Sequence, residues 1–321
     1  MKHSQFFVAL AIFTACASAS AQNYPNKPIR IIVPLAAGGT GDVLGRLAAD
    51  TLAAAFNQQV VVDNRPGANG IIGTDLVAKA TPDGYTLASA STGNVVINPA
   101  LFGSKLPFNA ERDLVPITQI ATGTSVVITH PSFGPKTIPE LIALAKAKPG
   151  AINYASSGIG SAVHLGTALF ETMAGIRMTH VVYKGSTPGR VAVLASEADL
   201  MFDGLLPTLP LIKAGKLKAL GVTSIKRSSV MPDVPAISET LPGYSADTWY
   251  GLFAPRGTPQ DVIVKVHAAM AKALASADTR AKLLAQGAEP AGNTPAGFTA
   301  FIKAENAKWG KVVRDSGAKP D

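Results

Sequence analysis

A glycine-rich turn near the start of this sequence has the composition of an anion-binding site. The stretch PLAAGGTGDVLGR, Pro34–Arg46, follows a run of β-forming residues and opens a helix-forming sequence. A helix start presents unpaired backbone N–H groups at the positive end of the helix dipole. Phosphate and carboxylate both suit such a turn. Asp42 has a simpler role open to it, because an acidic residue in the first turn stabilises a helix.

Two further turns carry hydroxyl and amide side chains. In NYASSGIGSAVHLG, Asn153–Gly166, glycines allow close approach of a ligand and a helix begins near Ser161, which also serves as an ordinary helix cap. The turn SASTGNVVINP, Ser89–Pro99, leaves a strand at the same edge of the predicted sheet. The candidate binding residues of these two turns are Ser156, Ser157, Gly160, Ser161, Ser91, Thr92 and Asn94.

The phosphate motifs of nucleotide-binding proteins are incomplete or missing. A dinucleotide fingerprint, G-x-G-x-x-G, begins at Gly39 and Gly41 but has Leu44 where its last glycine belongs. Asp63, 22 residues beyond Gly41, does stand where a ribose-binding acid is expected. The P-loop pattern is absent. The sequence therefore argues against a nucleotide, and we expect no cofactor.

Signals for catalysis are weak. No G-x-S-x-G occurs, the nearest match being GSTPG at Gly185–Gly189, and the histidines lack zinc-site spacing. His164 lies one turn into its helix and leans back towards Ser161. A triad of Ser157, His164 and Asp203 can be written for a secreted hydrolase, but no local pattern supports it. We expect no catalytic residue and no metal site.

The N-terminus predicts export. Residues 1–21 have Lys2 and His3 in front, the apolar stretch FFVALAIFTA, and the small-residue end ASA, as in a cleaved signal peptide. The apolar stretch is too short to span a membrane. Cleavage after Ala21 removes Cys16, the single cysteine, so the mature chain has no disulfide. Phe13 makes FTAC a poor lipoprotein signal, although a lipid on Cys16 is the alternative. We therefore expect an exported protein.

The charge pattern argues against nucleic acid. The chain has 29 basic and 21 acidic residues and a net charge of +8, but its lysines and arginines are scattered, with no aromatic interleaving. The mild positive field favours small anions. We expect a monomer that binds no nucleic acid.

Alternating short apolar runs and helical stretches predict an α/β fold of two doubly wound lobes. Residues 22–122 and 250–321 are expected to form a discontinuous first lobe, and 123–249 the second. The helical stretches after Gly257 show no sheet of their own and are expected to cover the first lobe. Chain crossings are expected near Thr122–Ser125 and Trp249–Phe253, where they would act as a hinge. Trp309 is expected far from the cleft.

Four ordered motifs resemble a known family. PLAAGGTGDVLGR, VVDNRPGANGIIGTD, YASSGIGSAVHLG and VVYKGSTPGRVAVLASEADLMFD together resemble the Bug-type extracytoplasmic solute receptors, the binding components of tripartite tricarboxylate transporters. The resemblance covers essentially the whole mature chain. It implies a periplasmic location and a type II periplasmic binding protein fold that closes on a ligand, with one carboxylate held by hydroxyls and backbone N–H groups.

The resemblance also implies particular binding residues. The first-lobe turn contributes Ala37, Gly38, Gly39, Thr40 and Asp42; the second-lobe turn contributes Ser156, Ser157, Gly160, Ser161 and His164; and the MFD sequence contributes Asp203. Leu35 stands where the family usually has an aromatic residue, which leaves the wall of the pocket next to the bound carboxylate undefined.

The expected function is therefore capture of a small carboxylate for the membrane subunits of a tripartite tricarboxylate transporter. A ligand-sensing receptor of a signalling pathway and a secreted hydrolase are the alternatives. The sequence leaves open whether the ligand is a dicarboxylate, an aromatic acid or an acidic amino acid.

Overall fold

The computed structural model describes residues 24–285 and 287–316. The predicted signal peptide, residues 1–21, lies outside them.

Strands of the described residues form two mixed sheets, one with the order β11-β4-β10-β3-β1-β2 and one with the order β7-β6-β8-β5-β9. The strands are β1 (Ile29–Val33), β2 (Val60–Asn64), β3 (Thr86–Ser91), β4 (Leu114–Gly123), β5 (Ser125–Thr129), β6 (Asn153–Ser156), β7 (Thr179–Val182), β8 (Leu200–Gly204), β9 (Lys218–Val222), β10 (Thr248–Pro255) and β11 (Ala288–Pro290).

Helices cover both sheets. They are α1 (Thr40–Phe56), α2 (Ile71–Ala78), α3 (Asn98–Phe102), α4 (Ala110–Asp113), α5 (Ile138–Ala147), α6 (Ala162–Ala174), α7 (Ser186–Leu194), α8 (Leu205–Lys213), α9 (Gln260–Ala275), α10 (Ala277–Leu284) and α11 (Pro295–Ser316). A π-helical turn, Gly93–Ile97, precedes α3. No described helix is both long enough and apolar enough to cross a membrane.

Each sheet has a parallel part, as the alternating pattern predicts, and an antiparallel part that it does not. In the first sheet β1 pairs in parallel with β2 and β3, whereas β10 is antiparallel to β3 and β4. In the second sheet β6 pairs in parallel with β7 and β8, whereas β5 is antiparallel to β8 and β9. The antiparallel strands arise because the chain changes sheet directly from β4 to β5 and returns at β10.

The second predicted crossing needs a correction. Trp249–Phe253 lie inside β10, where all five residues are buried and paired with β3 or β4 of the first sheet. The chain therefore re-enters the first sheet at Thr248, one residue after Asp247. Thr248 pairs with Gly123, the last residue of β4. Thus the two segments that join the sheets run side by side at Thr124 and Asp247.

The C-terminal segment returns to the first sheet and extends it. β11 adds an edge strand by pairing with β4, and α9 packs on β4 and α1. α11 packs on β4 and α3 and also on α6, a helix of the second sheet. One buried cluster consequently contains Trp249 and Phe298 together with Phe170 and Tyr244. The two sheets are joined by this shared core as well as by the chain crossings.

Candidate functional site: a cleft between the two sheets

A cavity of about 600 Å³ lies between the two sheets. Its walls come from the carboxyl ends of β1, β2 and β3 on one side and of β6, β7 and β8 on the other, which is where open α/β sheets bind their ligands. The lining residues include Leu35, Gly39, Thr40, Pro66–Gly70, Ser91, Gly123, Ser125, Ser157, Gly158, Ser161, Val182–Ser186, Asp203, Gly204, Thr248 and Tyr250.

The first-lobe turn places backbone N–H groups and the Thr40 hydroxyl at the cavity. Gly39 precedes α1 with no side-chain cap, and Asp42 N and Val43 N both donate to Gly39 O at 3.1 Å. The N–H groups of Thr40 and Gly41 are therefore left for another acceptor. Thr40 is buried and shares a hydrogen bond with Tyr250. Burial raises the pKa of Tyr250, so its hydroxyl stays protonated and can donate.

Asp42 lies behind this turn and does not line the cavity. Its carboxylate accepts hydrogen bonds from Gly38 N at 2.9 Å, Arg46 Nε at 3.1 Å and Asn64 Nδ2 at 3.0 Å. Burial opposes ionisation, but these hydrogen bonds hold the pKa of Asp42 below its usual value. The charged side chain therefore ties the turn to α1 and to the end of β2.

The second-lobe turn is shaped by its glycines and by Ser161. Gly158 and Gly160 have φ values of 135° and 73°, which favour glycine. Ser161 caps α6 by accepting from His164 N at 3.1 Å, as the sequence predicts, and it also lines the cavity. Ser157 lines the cavity beside it. The turn thus presents hydroxyls and a helix start opposite those of the first lobe.

A stack of three rings supports the second-lobe turn from behind. The His180 ring lies 4.8 Å from the Tyr154 ring and 4.2 Å from the His164 ring, and its Nε2 is 2.5 Å from Ser156 Oγ. Nδ1 of His164 accepts from Gly160 N at 3.0 Å. Burial, and then the neighbouring His180, lowers the pKa of His164 to about 4. His164 is therefore neutral at physiological pH and fixes the turn through an acceptor nitrogen.

In the third turn, one predicted residue lines the cavity and the other two hold the turn in place. Ser91 lines the cavity. Asn94 Oδ1 accepts from Ser91 N at 2.9 Å, and Thr92 Oγ1 accepts from Trp249 N at 3.0 Å. Thr92 and Asn94 are buried and hold β3, β10 and the turn together.

The loop Pro66–Gly70, which the sequence predicts only as a turn, forms part of the cavity wall. The Asn69 backbone has φ 53°, and its carbonyl accepts from Asn94 Nδ2 at 3.2 Å and Asn98 Nδ2 at 3.1 Å. Asn69 Nδ2 donates to Asn98 Oδ1 at 2.8 Å. Asn94 and Asn98, four positions apart in an otherwise apolar segment, are the sequence feature that could have predicted the packing of a polar loop here.

Asp203 lines the cavity as one half of a buried ion pair. Its Oδ2 accepts from Arg190 Nε at 2.6 Å, and the two side chains are only 2% and 9% exposed. Burial raises the pKa of Asp203, and the Arg190 guanidinium opposes that rise. The carboxylate charge is thus balanced within the protein.

The two lobes are in contact across the cleft. Thr187 Oγ1 donates to Ala37 O at 2.7 Å, which joins the start of α7 to the first-lobe turn. A Cβ atom added at Gly204 would lie 2.1 Å from Thr40 Oγ1, and one added at Gly185 would lie 2.7 Å from Ala36 Cβ. Glycine at these positions permits the close approach of the lobes.

The structure separates the predicted site residues into two groups. Gly39, Thr40, Ser91, Ser157, Ser161 and Asp203 line the cavity. The others lie next to lining residues without lining it themselves, and they are Ala37, Gly38, Asp42, Thr92, Asn94, Ser156, Gly160 and His164. Leu35, which stands where the family usually has an aromatic residue, is part of the cavity wall. Residues 24–285 and 287–316 contain no group of three or more histidine, cysteine or acidic side chains that could hold a metal ion.

Comparisons with known proteins agree with this architecture. The family model described as a tripartite tricarboxylate transporter family receptor matches residues 44–318. The protein BugT of Bordetella pertussis is 37% identical over 99% of this chain and 99% of its own length.

Two solved structures are similar along their whole length. A Rhodopseudomonas palustris protein with adipate has a TM-score of 0.90 and 34% identity, over 93% of this chain and 100% of that one. The periplasmic binding protein BugD has a TM-score of 0.88 and 32% identity, with the same coverage. The predicted two-lobed type II binding-protein fold and the resemblance drawn from the motifs are confirmed. The chain belongs to the tripartite tricarboxylate transporter receptor family.

Proposed function

We propose that this protein is a periplasmic receptor that captures a small carboxylate in the cleft between its two lobes and delivers it to the membrane subunits of a tripartite tricarboxylate transporter. The observation that carries the proposal is the convergence of two helix starts, those of α1 and α6, on one cavity lined by serine and threonine hydroxyls.

The chemistry of the lining suits one desolvated carboxylate. A buried anion is costly unless several donors reach it, and hydrogen bonds to a charged acceptor are about twice as strong as neutral ones. We assign the N–H groups after Gly39 and the hydroxyls of Thr40, Ser91, Ser157 and Ser161 to this carboxylate. Adipate in the related Rhodopseudomonas structure is a ligand of this chemistry.

The remaining predicted site residues act as positioning residues. Asp42 and Gly38 fix the first-lobe turn, while Asn94 and Thr92 fix the third turn against β10. Ser156, Gly160 and His164 fix the second-lobe turn. Ala37 connects the two lobes through Thr187. Their substitution is expected to disturb the site through the turns that they hold.

The hydrolase alternative is poorly supported by the side-chain contacts. In a serine triad, histidine accepts from the serine and donates to the carboxylate. Here Asp203 is held by Arg190 and Gly204 N, and His164 Nδ1 accepts from Gly160 N. We therefore propose binding without turnover. Neighbouring genes for membrane subunits distinguish a transport receptor from a signalling receptor.

Export and closure complete the proposal. In this proposal the signal peptide is cleaved after Ala21 and the mature chain works as a monomer. Ligand binding and lobe closure are then one event, since the carboxylate contacts both lobes.

A thermal-shift titration of the mature protein, residues 22–321, with adipate and with its diamide tests the proposal. A ligand at 100 times its dissociation constant adds about 2.7 kcal/mol to the free energy of unfolding. We expect stabilisation by adipate or another small carboxylate and none by the matching neutral amide. Equal stabilisation by acid and amide would contradict the anion site, and consumption of the acid on incubation would favour an enzyme.

A further inference from the structure

The hydroxyl-lined end of the cavity already contains a buried carboxylate. Asp203 lines the cavity and is 1% exposed, and Thr40 and Tyr250, which line it too, are also buried. A Cβ atom added at Gly204, the residue after Asp203, would lie 2.1 Å from Thr40 Oγ1. Burial raises the pKa of Tyr250, and the charge of Asp203 adds to the rise. Asp203, Thr40 and Tyr250 therefore share one end of the cavity.

Arg190 balances the charge of Asp203 but leaves no positive charge over for a ligand. Asp203 Oδ2 accepts from Arg190 Nε at 2.6 Å, and Oδ1 accepts from Gly204 N at 2.8 Å. Nη2 of Arg190 is buried and has no hydrogen-bond partner among the described residues. The pair is neutral as a whole, so a ligand carboxylate bound at Thr40 adds one net negative charge to this buried end.

The other charged groups around Asp203 are neutral, distant or exposed. The neighbouring strands β5 and β6 contain no acidic or basic residue. Burial lowers the pKa of His164, at the start of α6, to about 4, so this side chain is uncharged at neutral pH. Glu171 and Lys213 lie towards the C-terminal ends of α6 and α8, whereas the cavity is at the opposite ends of these helices. Lys184 lines the cavity but is exposed.

Two carboxylates in one buried site cannot both stay ionised without a large cost in free energy, so one of them binds a proton. Burial raises the pKa of Asp203 even against the opposing charge of Arg190. A ligand carboxylate at Thr40 raises the pKa further, because like charges repel. With Asp203 protonated, the charge of Arg190 is balanced by the ligand, and the site as a whole is neutral again.

We propose that Asp203 takes up one proton from solvent when the cleft fills and donates it in a hydrogen bond to the bound carboxylate. This rests on the proposed function, because the ligand carboxylate has to reach the end of the cavity at Thr40. A protonated carboxyl group has one O–H donor and keeps acceptor capacity for its existing partners, Arg190 Nε and Gly204 N. Affinity should then fall as the pH rises, by up to about tenfold per pH unit for one full proton.

Isothermal calorimetry with adipate measures the number of protons taken up. Titrations at the same neutral pH in Bis-Tris, triethanolamine and Tris give an observed enthalpy that varies with the ionisation enthalpy of the buffer, and the slope is the proton number. These buffers are amines and carry no acid group that could compete for the anion site. The proteins are the mature wild type, Asp203→Asn and Asp233→Asn, the last being a control at an exposed aspartate of the same lobe.

We expect wild type and Asp233→Asn to take up about 0.5–1 proton per bound ligand, and to bind more weakly when the pH is raised by one unit. Asp203→Asn should take up no proton, and its affinity should not change with pH. A purely structural role of Asp203 would alter affinity without altering the proton number. An observed enthalpy of wild type that is the same in all buffers would overturn the proposal, and so would proton uptake that persists in Asp203→Asn.

Infrared difference spectroscopy of wild type locates the proton without any substitution. Adipate labelled with carbon-13 at both carboxyl groups shifts the bands of the ligand away from those of the protein. We expect binding to produce a carbonyl band of a protonated carboxyl group that does not shift with the label. Asp203 is the one carboxyl residue among the described residues that line the cavity. A band that shifts with the label would place the proton on the ligand and overturn the assignment.

The failure of the proposed function looks different. If adipate or another small carboxylate binds without any proton uptake, the role of Asp203 is wrong while the carboxylate site stands. If no small carboxylate binds, the carboxylate site and the role of Asp203 both fall.

Discussion

Trp249 and Trp309 donate their indole N–H groups to the same carboxylate oxygen, Oε2 of Glu305, at 3.0 and 2.9 Å. Trp249 is in β10, whose neighbouring residues Thr248 and Tyr250 line the cavity, and Trp309 is in α11. From the sequence, Trp309 is predicted to lie far from the cleft. The structure instead connects it through one carboxylate to the strand that forms the cavity wall.

Removing this shared acceptor should destabilise the protein. Glu305→Ala leaves two buried indole donors unpaired, and we expect a loss of about 2–4 kcal/mol in the free energy of unfolding. Glu305→Gln keeps an acceptor oxygen and should lose less, about 1 kcal/mol. Urea denaturation measures both against Glu111→Ala, an exposed control. An unchanged midpoint for Glu305→Ala would show that the bonds do not contribute to stability.

Both tryptophans should report ligand binding. In Trp309→Phe the emission of Trp249 is isolated, and in Trp249→Phe that of Trp309. We expect adipate to change the emission in both variants, with the larger change from Trp249 because its strand lines the cavity. A silent Trp309 would mean that closure does not disturb Glu305.

The two turns should contribute separately to binding. Thr40→Ala and Ser157→Ala each remove a hydroxyl from one lobe, and each should weaken carboxylate binding by roughly 1–3 kcal/mol. Calorimetry compares them with Ser104→Ala, an exposed serine outside the cavity. Wild-type affinity in both variants would remove these hydroxyls from the site.

Closure should depend on the absence of a side chain at Gly204. Its φ of −57° is open to alanine, but the new Cβ would lie 2.1 Å from Thr40 Oγ1. We expect Gly204→Ala to reduce affinity at least about fivefold, because overpacking costs about 1–3 kcal/mol. The ligand-bound radius of gyration, from X-ray scattering, should also exceed that of wild type.

Gly134→Ala is the matched control, because nothing lies within 4 Å of its added Cβ. Unchanged affinity and compaction in Gly204→Ala would show that the lobes of the bound protein do not meet at Thr40.

The pH dependence of stability should contain a contribution from Asp247, which lies where the chain returns to the first sheet. Burial raises its pKa to about 6, Glu305 adds to the rise, and the Thr223 hydroxyl and Lys308 oppose it. The protonated form is thus favoured in the folded protein. Its stabilisation is fully present below about pH 4 and is lost as the pH rises through 6.

Asp247→Asn should therefore stabilise the protein at pH 7.5 and have little effect near pH 4. Two pKa units correspond to about 3 kcal/mol, but the side chain keeps some solvent contact, so we expect roughly 1–2 kcal/mol. Thermal unfolding from pH 4 to 8, with the exposed Asp261→Asn as control, measures the difference. A difference that does not vary with pH would exclude Asp247 as the titrating group.

The local pattern of this sequence predicts much of the fold because the turns are short and chemically distinct. Apolar runs followed by glycine-rich turns predict that strands end just before Pro34 and just before Ser157. The hydroxyl of Ser161 predicts the helix cap. The residue at which the chain returns to the first sheet could not be predicted in the same way. An apolar strand such as β10 has the same composition as a buried crossing, and only its pairing with β3 and β4 identifies it.

Some site details depend on contacts between distant residues. The family resemblance implied that Asp42 and His164 are ligand-binding residues, but Arg46, Asn64 and Gly160 supply their partners inside the protein. The role of Asn69 depends on Asn94 and Asn98, which lie beyond the next strand. Such pairings have no periodic signal in the sequence.

The position of β10 determines the order in which this protein can fold. β3 and β4 do not pair with each other, and each is completed by β10, which follows the whole second lobe along the chain. The hydrophobic surfaces of α3 and α6 are covered only when α11, at the C-terminal end of the described residues, packs on them. The first lobe therefore cannot assemble during synthesis of its own N-terminal strands. Long-range pairing of this kind slows folding, and the chain stays open until its last helices are available.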